Sequence, residues 1–269
     1  MMRRPVPSLP LATLRGLAMV LLLAVAAVMM ARAGTAPDGA SATVRLSSLD
    51  WPPFSGEGLP NRGLTTAIVE RTLARAGLSA EVTFLPWQRA VATGLKAPGH
   101  AGYFPEYRTA ASQAQCLLSA PIGSSPLGFA ERVAAPVTWR SLGDLAGRRI
   151  GTVRGYVNTD SFDRAAADGT LTVEPAVDDA ANLRKLAAGR LDMAVIDANV
   201  LAHLLSADPD LRPLRAGLRF NARLLEDKSL HVCFRPGPEG ETLRRRFDRA
   251  LAQDRPDSML QASRPAPER

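Results

Sequence analysis

Two hydrophobic periods interleave along the chain from residue 44 to residue 251. Runs with a period of two, or unbroken over about four positions, read as strands. They fall at residues 44–49, 82–85, 99–104, 127–133, 150–153, 171–177, 193–196 and 229–234. Runs with helical spacing lie between them. Thr65, Val69, Thr72, Leu73 and Ala76 share one face of a helix over 64–76, which Gly77 stops. Pro86-Trp87 opens a helix over 88–95, and 106–115 reads as a short helix bearing Arg108. Asn158, Thr159 and Asp160 can each cap a helix that ends at Gly169. Asp178 or Asp179 caps another, with Leu183, Leu186 and Ala187 on its apolar face. Residues 200–205 and a last stretch with Leu243, Phe247, Ala250 and Leu251 complete the helices. Pro121 and Pro126 read as brackets of a turn, and 206–219 as loop.

The densest of these patterns is the stretch 148–199. It runs strand, helix, strand, helix, strand, which is a parallel α/β unit. Ligands of such sheets bind beyond the carboxyl ends of strands, near helix amino termini. Asn158, Thr159 and Asp197 occupy such places. An earlier stretch, ending at Tyr103-Phe104-Pro105, echoes the same order and suggests two similar lobes.

Composition alters this reading at the amino terminus. Arg3, Arg4 and Arg15 precede the apolar run 16–30, and Ala31-Arg32-Ala33 is a small-x-small site. That is the pattern of a secretory signal peptide, residues 1–33, with cleavage expected after Ala33; an uncleaved anchor is the alternative. With the four arginines of this segment set aside, the formal charge of +7 falls to +3. The balance therefore gives no reason to expect a nucleic-acid partner. A hydrophobic share of 46% suffices for a core. His100, His203 and His231 are scattered and no CxxC occurs, so neither a metal site nor a cofactor is expected. The two cysteines, Cys116 and Cys233, pair as a rule in an exported chain; two buried free thiols are the alternative.

Side chains suited to holding a ligand are few. Asp50-Trp51-Pro52-Pro53-Phe54 forms a proline-stiffened loop after the first strand. There Trp51 and Phe54 can stack on a ligand or hold a cation, or pack into the core. Tyr103 is a further candidate for the cleft wall, whereas Trp87 reads rather as packing between helix and sheet.

In order and spacing, LSSLDWPPFS at 46–55, LPWQRA at 85–90, FPEYR at 104–108, LSAPI at 118–122, SLGDLAGRRIGTVRGY at 141–156 and LRKLAAGRLDMAVID at 183–197 resemble the family-three extracellular solute-binding proteins, the polar amino acid type of ABC importer receptor. The resemblance spans about residues 42–255. It implies the type II periplasmic binding fold, α/β, with two lobes of mixed sheet flanked by helices and two crossing strands. Lobe one is expected at 42–132 plus 229–269 and lobe two at 133–228. It also implies that Arg108 grips a ligand carboxylate through two parallel hydrogen bonds and that Asp197 receives the ligand ammonium. A surface arginine and a helix cap are the respective alternatives. Asn158 and Thr159 would offer backbone N–H groups. Both cysteines then fall in lobe one, and a Cys116–Cys233 disulfide is expected.

The function implied is periplasmic capture of a small polar, carboxylate-bearing ligand, an amino acid or a relative, by a monomer that hands it to an ABC permease. The alternative is an orphan binding or sensor protein feeding a signalling partner. The chain departs from the family where 96–100 replaces a Gly-x-x-Asp of the kind seen at 189–192, and where Tyr103-Phe104-Pro105 makes a bulky wall. GxSxG and HExxH are both missing from the sequence, so no enzyme is expected, and no catalytic domain behind the lobes.

Overall fold

A computed structural model describes residues 41–253. The expected signal peptide and its cleavage site lie outside the described residues. The strands are β1 (Ala42–Ser48), β2 (Leu78–Phe84), β3 (His100–Tyr107), β4 (Leu117–Leu118), β5 (Gly123–Arg132), β6 (Arg149–Val153), β7 (Thr172–Ala176), β8 (Met193–Asp197), β9 (Leu218–Phe220) and β10 (Glu226–Phe234). The helices are α1 (Leu64–Arg75), α2 (Trp87–Lys96), α3 (Ala110–Gln115), α4 (Asp160–Ala167), α5 (Asp179–Ala187), α6 (Ala198–Ala207) and α7 (Pro238–Leu251).

The main path of the sheet runs β2-β1-β3-β10-β5-β8-β6-β7, with β4 beside β10 and β9 beside β5. At one end β1 lies between two parallel neighbours, β2 and β3. At the other end β6 lies between two parallel neighbours, β7 and β8. Each half is therefore a strand-helix-strand-helix-strand unit whose first strand is central. The halves are joined by β5 and β10, which run antiparallel to each other and to their outer neighbours. Two lobes with two crossing strands follow from this order.

Amphipathic helices cover the faces. Helix α1 buries Ile68, Val69 and Leu73, and α7 buries Phe247, whose ring meets Phe234 of β10 at 5.5 Å. In the second lobe Leu183 and Leu186 of α5 and Val200, Leu201, Leu204 and Leu205 of α6 enter the core. Strand β8 is buried at every position, as its unbroken apolar run required.

Three sequence expectations need correction. The helix over 106–115 does not form: β3 continues through Pro105 to Tyr107, and α3 begins only at Ala110. Its extra length is fixed from outside, because Glu106 and Tyr107 pair with His231 and Leu230 of β10. Thr109 then caps α3, accepting from the Ser112 N–H, while the Ser112 hydroxyl accepts from the Thr109 N–H. Pro126 does not bracket a turn but lies inside β5, opposite Asp227. Residues 206–219 are not all loop; Arg212–Leu214 is a 3-10 turn and β9 begins at Leu218, adding itself to the end of β5.

The disulfide forms. Cys116 and Cys233 are bridged across 117 positions of sequence with Cα atoms 5.5 Å apart. Both are buried, and Tyr103 packs against them. Trp87, Val91 and Leu95 of α2 lean on the same cluster. Among the described residues no group of three or more His, Cys, Asp or Glu side chains is placed to hold a metal ion. No helix of the described residues is long and apolar enough to cross a membrane.

Candidate functional site

The carboxyl ends of the strands from both lobes face one cleft. The first lobe brings Leu49 and Trp51 after β1, Trp87 at the start of α2, and Pro105, Glu106 and Tyr107 at the end of β3. The second lobe brings Tyr156 and Val157 from the turn after β6, and Leu230 of crossing strand β10 closes the floor. Together they line a cavity of about 30 Å3. That is room for about one water molecule. The lobes meet directly around it. The Trp87 indole N–H donates to the Gly155 carbonyl at 2.7 Å, and the Ala110 N–H reaches Asp160 Oδ1 at 3.4 Å.

The walls are aromatic. Trp87 meets Tyr156 edge-on at 5.8 Å and Tyr103 at 5.5 Å. Trp51 meets Tyr107 edge-on at 6.1 Å, with Phe54 stacked behind it at 4.7 Å. Gly155 permits the close approach. Its φ of +80° is in the region that side chains disfavour, and a Cβ there would sit 2.8 Å from the Gln88 side chain.

Behind the rings stand buried carboxyl groups. Glu106 accepts from the Tyr103 hydroxyl and from the Tyr107 N–H, both at 2.7 Å. Burial pushes its carboxyl up to about 7, against these hydrogen bonds and the charge of Lys228. Asp179, the first residue of α5, is only 6% exposed. Burial pushes it up to about 7, and neighbouring Asp178 and Asp197 add to the shift; a hydrogen bond from the Trp51 side chain opposes it. Asp197 is pushed by burial to about 6, against its hydrogen bonds from Ser125 and the start of α6. Burial, with the charges of Asp197 and Asp179 respectively, holds the Tyr107 and Tyr156 phenols far above their ordinary range, so both stay neutral.

The sequence candidates separate on this geometry. Trp51 lines the cavity. Phe54 is 3% exposed and supports Trp51 from the core side. Tyr103 is fully buried one layer back, tied to Glu106 and to Gln115 Nε2 at 2.9 Å. Asp197 is the cap of α6: its Oδ1 accepts from the N–H groups of Asn199 and Val200, and its Oδ2 from the Ser125 hydroxyl at 2.5 Å. Ser125 in turn bonds the Tyr107 hydroxyl at 2.7 Å, so Asp197 reaches the cleft through two hydroxyl groups. Asn158 is held by Asp163 through both its backbone and side-chain N–H groups, and Thr159 caps α4 on Phe162. Both stand next to Val157 of the lining. Arg108 is the candidate that the fold does not bring in. It lies in the exposed turn between β3 and α3, with its guanidinium 3.4 Å from Gln113 Oε1, outside the lining.

Sequence reasoning missed Trp87, Glu106, Tyr107 and Tyr156 as cleft residues, and Asp179 as a buried acid whose charge acts on Tyr156. Two carried a signal. Asp178 and Asp179 stand together at a helix start, and only one carboxylate can cap; Asp178 does, accepting from the Ala181 N–H, and Asp179 is buried. Tyr156 follows a turn glycine at a strand end, the place where ligands of parallel sheets bind.

No protein-family model and no curated protein matches the sequence. Solved structures do match the fold. A histidine kinase sensor domain with similarity to periplasmic binding proteins superposes with a TM-score of 0.69 at 20% identity, covering 82% of this chain and 94% of its own. An ancestral arginine-binding protein bound to arginine gives 0.65 at 18% identity over 81% of this chain and 95% of its own. The GluR0 ligand-binding core from Nostoc punctiforme, in complex with glutamate, gives 0.64 at 17% identity over 81% and 96%. The chain therefore has the two-lobed α/β type II periplasmic binding protein fold.

Proposed function

We propose that the protein is an exported receptor that captures a small polar ligand between its lobes and delivers it to an ABC permease. The observation that carries this reading is the cleft itself. Two lobes on two crossing strands present rings and buried carboxyl groups to each other, and they already touch through Trp87 and Gly155. A ligand that contacts both lobes stabilises the closed state by its differential contacts. The amino-acid reading finds its ammonium partner in Glu106, with Asp197 two hydroxyl groups further back. Its carboxylate end would need Arg108 to turn inward from the surface.

A second reading, a sensor that reports the ligand to a signalling partner, is favoured by the likeness to the histidine kinase sensor domain. A thermal-shift screen of amino acids, amines and organic acids tests capture, since a ligand at a hundredfold its Kd adds about 2.7 kcal/mol of stability. Uptake of the hit compound by cells, lost on deletion of this chain, supports the importer reading; unchanged uptake supports the sensor. Amino-terminal sequencing of the exported protein should begin at Gly34.

A further inference from the structure

Resting on the reading that the cleft holds the ligand, we propose that the ligand is a small organic cation, an alkylammonium or guanidinium compound, recognised by its positive charge without a partner for a carboxylate. Four of the lining residues are aromatic: Trp51, Trp87, Tyr107 and Tyr156. Ring faces attract cations, and more strongly in a desolvated site. The one carboxyl group among the lining residues is that of Glu106. Asp179, 6% exposed at the start of α5 in the opposite lobe, lies outside the lining, and its charge acts on Tyr156.

No lysine or arginine is among the lining residues, and Lys228, whose Nζ lies 5.7 Å from the Tyr107 ring centre, stands behind that ring. Lys228 is 3% exposed, and its Nζ is held by Glu226 Oε1 at 3.0 Å and the Arg108 carbonyl at 3.2 Å. The Arg108 guanidinium is on the surface beside Gln113. A ligand carboxylate would therefore be desolvated beside the Glu106 carboxyl with no cation in the lining to pair with it. A cation meets the opposite situation. The cavity holds about 30 Å3, so an occupant larger than a water molecule would widen it, and the Trp87–Gly155 contact is the lobe-to-lobe contact that could give way. A compact head group between the Trp87 and Tyr156 rings replaces that contact with ring contacts of its own.

Calorimetry on the full chain with matched probes tests this: choline against glycine betaine, agmatine against arginine, and 3,3-dimethylbutanol as the uncharged analogue of choline. The expected result is that at least one carboxylate-free cation binds about tenfold or more tighter than its carboxylate-bearing partner. The uncharged analogue should show no binding. D179N should weaken the cation about tenfold at a melting temperature no lower than that of the wild type. If betaine or arginine binds more tightly than its counterpart, the inference is overturned while the cleft reading stands. It is overturned in the same way if only neutral or acidic compounds from the wider screen bind. If no compound in either set binds, both fall.

Discussion

The two lobes share a topology and divide the work. In each, three parallel strands end at the cleft with the first strand in the middle. The first lobe ends its strands in aromatic side chains, Trp51 after β1, Trp87 after β2 and Tyr107 on β3. The second lobe ends its strands in polar residues, and most of these are consumed by its own helices. Thr159 caps α4, Asp178 caps α5 and Asp197 caps α6. The first lobe thus supplies most of the rings and the one lining carboxyl group, Glu106, and the second supplies Tyr156 and the Gly155 carbonyl that holds Trp87. A strand end in an α/β fold is a site only when its polar groups are not already spent on capping.

The strongest effect should come from the brace that the first lobe has and the second lacks. Replacing Cys116 and Cys233 by serine together should cost up to about 4–5 kcal/mol, the chain-entropy value for a loop of this length. For a chain of this size that is a fall of up to roughly 10–20 °C in Tm. A melt of the exported double variant measures it, and an unchanged Tm would mean that the disulfide does not brace the fold.

Next comes Trp87, the residue that most joins the lobes. W87A removes the bond to Gly155 and the contacts to Tyr103 and Tyr156. Loss of such a central aromatic should weaken the ligand found by screening by about 2 kcal/mol or more. W87F keeps a ring and loses the donor; because the ligand displaces the bond to Gly155, its affinity should stay near that of the wild type in the same titration.

The paired aspartates carry the contrast into one helix start. D178A should lower stability by about 1 kcal/mol, as loss of a cap does, with affinity unchanged. D179N should leave stability unchanged or raised at neutral pH and should weaken a cationic ligand. Denaturant melts and calorimetry on the two variants separate the roles; identical behaviour would mean that both only cap.

The same two acids also set a pH dependence. Glu106 and Asp179 are raised to about 7 in the folded state. Their unfolded values are about 4.3 and 3.9. The folded protein then binds more protons than the unfolded chain between those limits, so stability falls as pH rises through the window. The ligand-free protein should melt at a higher temperature near pH 5 than near pH 8, and D179N should reduce that difference.

Much of the fold was legible in the chain. The 148–199 pattern located β6, α4, β7, α5 and β8, because these elements have local periods and local caps. What was not legible depended on distant partners. Glu106 and Tyr107 have helix-compatible neighbours, and only pairing with β10 makes them strand. That one error moved Arg108 from a helix face to a surface turn and hid two cleft residues. Trp51 could be read from its stiffened loop. Trp87 could not, since its indole is defined by Gly155, 68 positions away. The burial that raises Glu106 and Asp179 is set by tertiary packing, which no local pattern records.

Hydrogen exchange of the full chain with and without a saturating ligand from the screen decides whether the ligand sits between the lobes. Binding there predicts slowed exchange at residues 49–51 and 106–107 of the first lobe and, at the same ligand concentration, at residues 155–159 of the second. Slowing confined to one lobe, or centred on the outer groove beside Arg45 and Arg235, would contradict it.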